Sequence, residues 1–219
     1  MRLKQNGQAT AKNEETALQL VEKYAKDIPA PKFILMTRIP GDRLDLVLFR
    51  MTYEERKALG RELDDCVKKL RGIPNNASRH LITNSYGGPA YDYRLNDREC
   101  GPLDSAAELA TYLSRKPAEE QARAVYPDLA PLYTKKHKVY FTHSDLHHSN
   151  IYVHTGKLIG IVDREYAGFK PEYWGYTRSL WAYFARKEQK LIMDEAFRGE
   201  DYREELEAEM RLWEHRLVS

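Results

Sequence analysis

"FTHSDLHHSNIYVHTGKLIGIVDREYAG", residues 141–168, gathers His143, Asp145, His147, His148 and Asn150 into one loop and returns to a second acid at Asp163. The flanks are apolar and β-branched, so the stretch reads as strand, loop, strand, turn and strand. Thr155 and Gly156 form a two-residue hairpin turn, which predicts that "IYVH" and "KLIGIVD" are antiparallel partners with residue 154 facing residue 157. Counting four steps back along each strand sets Asn150 opposite Ile161. Because side chains alternate faces with period two, Asp163 is then expected on the same side as Asn150, as its diagonal neighbour. Diagonal positions across an antiparallel pair lie about 7–8 Å apart, close enough for an amide oxygen and a carboxylate to share one cation. Oxygen ligands of this kind suit Mg²⁺, which completes its shell with phosphate and water. Asp145 lies at the other end of the loop, where it is expected to face a substrate hydroxyl. A base or nucleophile-positioner at Asp145, with metal ligands at Asn150 and Asp163, is the division of labour used in metal-assisted phosphoryl transfer.

The rest of the sequence sets bounds. Its 219 residues predict one domain with a small appendage, and 42% hydrophobic with 31% charged residues is the profile of a globular protein with a sizeable core. The net charge of +2 is spread over helical faces rather than gathered in a block, so no nucleic-acid partner is expected. Cys66 and Cys100 lie far apart without CxxC spacing, which argues against a disulfide framework or zinc ribbon and fits a reducing compartment. No apolar run approaches the roughly 18 residues of a membrane span, and "MRLKQNGQATAKNEE" lacks the apolar centre of a signal peptide. A cytoplasmic protein with no membrane partner is the expectation.

Along the chain, "NEETALQLVEKYAK" carries a helical stripe that stops at Pro29 and Pro31, and "KFILMTRIPGD" (32–42) reads as a strand leaving into a turn. Thr52 with Glu55 makes a capping box for a long helix with its buried stripe at Leu59, Leu63, Val67 and Leu70. Residues 72–103 show no sustained period and are expected to be an ordered loop. A second capping box, Ser105 with Glu108, opens a helix to about Leu113, and 119–137 is expected to be helical with breaks at Pro127 and Pro131. "YWGYTRSLWAYFARK" (173–187) predicts an aromatic-rich helix packed on the hairpin, and 201–216 a solvated surface helix.

Given HxDxxxxN followed by strand, turn and "IVD", the chain resembles the aminoglycoside phosphotransferases, choline kinases and related small-molecule kinases. "IPAPK", "IPGD", the Gly- and Tyr-rich stretch ending in "GPLDS", and "REYAGFKPEYWGY" extend the likeness, in particular to fungal members of the phosphotransferase family. The resemblance implies an α+β, protein-kinase-like fold with a mainly helical C-lobe and a catalytic β-hairpin. It implies that Asp145 is the catalytic aspartate, that Asn150 and Asp163 are magnesium ligands and that His143 braces the loop. It also matches Lys4 and Glu15 to the lysine and helix glutamate that pair beside the ATP phosphates, so Mg²⁺ and ATP are the implied cofactors. A role in secondary metabolism goes with the fungal likeness.

The chain also departs from the family pattern. Lys4 stands at the start of the sequence without the two strands and glycine-containing turn that cover the nucleotide phosphates, and Lys32 runs almost directly into the hinge-like "ILMTRIPG". The expected partition is therefore an abbreviated N-lobe over 1–39 and a kinase-like C-lobe over 40–219. Thr37 stands for an acid before the hinge, Ser144 for the glycine of the catalytic loop, and Arg164 for the tryptophan after the metal aspartate. A pocket without its nucleotide cover also suits a repurposed enzyme performing cyclisation, isomerisation or dehydration by acid–base chemistry without ATP. A pseudokinase-like binding module is the other rival.

Overall fold

A computed structural model of the chain describes residues 8–28, 39–92, 99–113, 135–180 and 187–218. Helix α1 (Gln8–Tyr24) is followed by a two-residue strand β1 (Asp42–Arg43), a single-turn helix α2 (Leu44–Val47) and the long helix α3 (Tyr53–Arg71). Short strands β2 (Thr83–Asn84), β3 (Ala90–Tyr91) and β4 (Glu99–Cys100) precede helix α4 (Ala106–Leu113). Strand β5 (Val139–Thr142), a 3₁₀ turn at His148–Asn150, and strands β6 (Ile151–His154), β7 (Lys157–Ile161) and β8 (Gly168–Pro171) carry the opening motif. Helices α5 (Trp174–Leu180), α6 (Lys187–Ala196) and α7 (Arg203–Val218) complete the described chain. The expected strand over 32–42 and the expected helix over 119–137 fall almost wholly outside the described residues.

Local chemistry explains the long helix. Thr52 Oγ1 accepts from the Glu55 amide at 3.2 Å while the Glu55 carboxylate accepts from the Thr52 amide at 2.7 Å, a complete capping box. The stripe of Leu59, Leu63, Val67 and Leu70 is buried as its spacing requires. The expected Ser105–Glu108 box forms in half: Ser105 Oγ accepts from the Glu108 amide, while the Glu108 carboxylate reaches the Asp104 amide instead of the cap's own.

Strands order as β1–β6–β7 in one antiparallel sheet, β2–β8–β5 in a second, and β3–β4 as a separate pair. Residues 72–103 are thus not a plain loop: they supply β2, which pairs with β8, and the β3–β4 ladder. Two-residue strands are too short to show a sequence period. The last helix also differs from the solvated one expected, because Glu205, Ala208 and Glu209 are buried on one face. In the aromatic segment, Tyr173, Trp174 and Tyr176 pack inside the core with Phe141 and Phe169, while Trp181 lies outside the described residues. Both cysteines are buried free thiols. No helix among the described residues is long and apolar enough to cross a membrane.

The most extensive helix contact joins α3 to α6. It depends on Gly60, where an added Cβ would overlap the Glu195 side chain and come within 2.7 Å of the Ile192 carbonyl oxygen. Gly60→Ala forces the two backbones apart and is expected to cost about 1–3 kcal/mol, against a gain of under about 1 kcal/mol in helix propensity. Urea denaturation of the two proteins measures the difference.

Candidate active site

The hairpin forms at the expected turn. Thr155 and Gly156 take φ of 48° and 76°, the left-handed pair of a type I′ turn, and His154 faces Lys157. Beyond Val153–Leu158, however, the ladder shifts by one, and Tyr152 faces Gly160. The extra residue, Ile159, is a β-bulge. It moves Ile161 opposite Ile151 and places Val162, not Ile161, beside Asn150, whose carbonyl accepts from the Val162 amide at 2.9 Å. Simple alternation thus gives the wrong register. Asp163 instead leaves the strand with φ of 66°, a left-handed conformation that turns the chain at this carboxylate.

Around Val162 the loop is tied into one unit. The buried His143 ring donates from Nε2 to the Val162 carbonyl at 2.9 Å and accepts the Asp145 amide at Nδ1, at 3.2 Å. These two bonds fix a neutral Nε2–H tautomer. Burial above all, with the nearby Arg164, Lys170 and Arg178 charges, pushes the pKa of His143 well below 6.5. Asn150 donates its amide to the Asp145 carboxylate at 2.8 Å and to the Asp145 carbonyl at 3.0 Å, which among the described residues leaves its oxygen with only a 3.5 Å contact from the Ser149 hydroxyl. Asp145 is itself mostly buried, and burial raises its pKa; Asp163 and Asp92 push the same way, while Arg178 and the Asn150 amide oppose them. Its carboxylate is therefore a stronger proton acceptor than an exposed aspartate.

The structure thus brings His143, Asp145, Asn150 and Asp163 together. Lys4 lies outside the described residues, and Glu15 is exposed on α1 beside Gln19, at 3.4 Å. The half-buried neighbour Glu14 faces the site and accepts the backbone amide of Arg164 at 3.3 Å. Asn13 holds the same helix in place. Fully buried, it donates to the carbonyls of Glu165 and Ala167 and accepts from the amide and hydroxyl of Ser85. A helical stripe that counts only apolar positions passes over such a residue. His147 bonds Ser149 through Nδ1 and packs its ring against that of His148, tilted by 47° with centroids 3.7 Å apart, so these histidines shape the loop.

Two further charged residues were invisible to sequence spacing. Arg178 on α5, only 4% exposed, sets Nη2 3.3 Å from Asp145 Oδ1 and Nε 3.5 Å from Asp92 Oδ2. Asp92 is fully buried and accepts from Trp174 Nε1 at 3.1 Å. Of the family departures, Ser144 takes φ of 64°, where glycine carries no Cβ penalty. Arg164 is buried, donates Nη1 to the Ile161 carbonyl, and keeps its charge at neutral pH although burial lowers its pKa to about 10.

The family model of the phosphotransferase enzyme family matches residues 9–213. The chain belongs to that family. Among solved structures it is similar to a thermostable mutant of aminoglycoside phosphotransferase APH(4)-Ia, at 11% identity and a TM-score of 0.58, covering 94% of this chain and 78% of that one. It is also similar to the amicoumacin kinase hAmiN in complex with AMP-PNP and Ca²⁺, at 13% identity and a TM-score of 0.53, covering 97% and 70%. At these identities the likeness shows the fold, a protein-kinase-like α+β architecture. A comparison with curated protein sequences finds no match.

The buried neutral imidazole has a consequence for acid stability. Between its depressed folded pKa and the unfolded value near 6.5, the unfolded state binds a proton that the folded state does not. Stability is therefore present above about pH 6.5 and is lost as the pH falls below it, with a slope approaching 1.4 kcal/mol per pH unit. His143→Gln keeps an amide donor for Val162 and removes that titration. Urea denaturation from pH 8 to 5 is expected to show a flatter acid limb for His143→Gln than for wild type; equal slopes contradict the assignment.

Proposed function

We propose that the chain is a Mg²⁺-dependent phosphotransferase that moves the γ-phosphoryl group of ATP to a hydroxyl of a small molecule. One observation carries the reading: the Asn150 amide is consumed by Asp145, so that its oxygen remains for a cation, and the chain turns at the Asp163 carboxylate just beyond β7. An amide oxygen with a carboxylate is a donor set that fits Mg²⁺ and not a soft metal. Asn150 and Asp163 would hold the ion, which when bound neutralises charge on the nucleotide phosphates.

The chain's own residues account for the remaining chemistry. Asp145, raised in basicity by burial, accepts the hydrogen bond of the acceptor hydroxyl and orients its oxygen toward the γ-phosphorus. As the new P–O bond forms and the bond to the β-phosphate oxygen breaks, the hydroxyl proton passes to the Asp145 carboxylate and ADP leaves. His143 stays neutral, its two nitrogens occupied, and keeps the loop in register with Val162. Glu14, whose carboxylate reaches the amide after Asp163, replaces Glu15 as the α1 acid that faces the nucleotide side, with Lys4 its proposed partner. The partition into an abbreviated N-lobe, 1–39, and a C-lobe from residue 40 belongs to the same proposal. Similarity to a kinase that was solved with AMP-PNP and Ca²⁺ supports the nucleotide and divalent cation.

Calorimetry with Mg-ATP and ³¹P NMR of nucleotide turnover test the assignment together. Asp163→Ala is expected to abolish Mg²⁺-dependent nucleotide binding. Asp145→Ala is expected to bind Mg-ATP as wild type does while turnover falls by at least about 100-fold. Absence of wild-type binding at millimolar Mg-ATP contradicts the reading and leaves acid–base chemistry without ATP as the use of this pocket.

A further inference from the structure

We propose that Arg178, anchored by Asp92, is a positioning residue that aims the Asp145 carboxylate at the acceptor hydroxyl. The inference rests on the phosphotransfer reading above and assigns that site a component outside the HxDxxxxN loop. Asp145 presents two oxygens, and each is held from a different direction. Oδ2 takes the Asn150 amide from within the loop, at 2.8 Å, and Oδ1 faces Arg178 Nη2 from helix α5, at 3.3 Å. An aspartate χ2 torsion is broad and two-fold, so one hydrogen bond alone leaves the carboxylate plane free to rotate about it. The second contact closes that freedom.

Arg178 is in turn fixed from behind. Trp174 and Arg178 lie four residues apart on α5 and so share a face of the helix. Both reach the same atom: Trp174 Nε1 donates to Asp92 Oδ2 at 3.1 Å, and Arg178 Nε lies 3.5 Å from it. Asp92 and Arg178 are both almost completely buried, and an unpaired charge at either place would be costly. The planar guanidinium is suited to bridging two carboxylates, since its donors point in fixed, separate directions. A lysine offers one point charge and reaches one of them at a time. Asp92, in the segment after β3, thereby acts on Asp145 through a single arginine, although 53 residues separate the two acids in sequence.

The test uses the full chain with Mg-ATP and water as acceptor, followed by phosphate release, alongside urea denaturation of each variant. Arg178→Met is expected to lower kcat by about 100-fold with KM for ATP unchanged. Arg178→Lys is expected to fall between the two, and guanidinium ion at non-denaturing concentration to restore part of the Arg178→Met turnover. Asp92→Asn, which loosens the anchor, lowers kcat by less than Arg178→Met. A folded Arg178→Met protein with wild-type kcat overturns the inference and leaves the phosphotransfer reading intact. So does a kcat loss that neither lysine nor guanidinium relieves and that follows the loss of folded protein. Absence of Mg-ATP binding by the wild type removes the phosphotransfer reading itself and the positioning role with it. The contact has its own readout in a double-mutant cycle of Arg178→Met and Asp145→Asn by urea unfolding: measurable coupling supports it, and additivity overturns it.

Discussion

The backbone of Val162 is the clasp on which the site depends. Its amide bonds the Asn150 carbonyl and its carbonyl takes the His143 ring, both at 2.9 Å. The topology explains why these partners meet. Strand β5 pairs with β8 up to Thr142–Gly168, and β6 pairs with β7 up to Ile151–Ile161. Residues 143–150 cross from the second sheet to the first, and residues 162–167 cross back. Two connections pinned at both ends by antiparallel ladders must run side by side, and Val162 is where they are stitched. With the buried His143 as the cross-strut, losing either bond strands a buried polar group at about 1–3 kcal/mol. The same stitch sets the position of Asp145 through its amide.

Given that clasp, the electrostatics follow. Two carboxylates, Asp92 and Asp163, lie near enough to act on Asp145, and burial disfavours its ionisation before these neighbours are counted. Arg178 is the compensating charge, shared between Asp92 and Asp145. On the opposite side, α1 is seated by Asn13 on the segment 165–167 and by Glu14 on Arg164. The loop carrying Asp163 is thus gripped by α1, while Arg178 of α5 holds Asp145 in the neighbouring loop. That arrangement accommodates Arg164 in place of a tryptophan: its guanidinium returns to the Ile161 carbonyl inside the same turn.

How much was readable in the sequence depends on distance along the chain. The hairpin turn, the Thr52–Glu55 capping box, the Ser105 helix cap and the grouping of His143, Asp145 and Asn150 are local, and each is set by side-chain chemistry within a few residues. The bulge at Ile159 was not legible, because an apolar run such as "KLIGIVD" satisfies either register and the choice is made by burial of Ile161 against the core. Residues Asp92 and Arg178 were hidden for a different reason: each is an ordinary charged residue in its own segment, and only the fold brings them to Asp145. Asn13 and Glu14 show the same limit at one-residue scale. On α1 a single position of rotation separates the acid that faces the site from Glu15, which faces solvent.

The central claim is that Asn150 and Asp163 converge on one divalent cation that also holds nucleotide phosphates. Manganese(II) added with AMP-PNP to ¹⁵N-labelled protein tests it most directly, since a paramagnetic ion broadens only nearby resonances. The account predicts that the Asn150 side-chain amide and the Asp163 backbone amide are broadened first, and that the effect requires the nucleotide. Broadening centred elsewhere, with these two signals unaffected at saturating nucleotide, contradicts it.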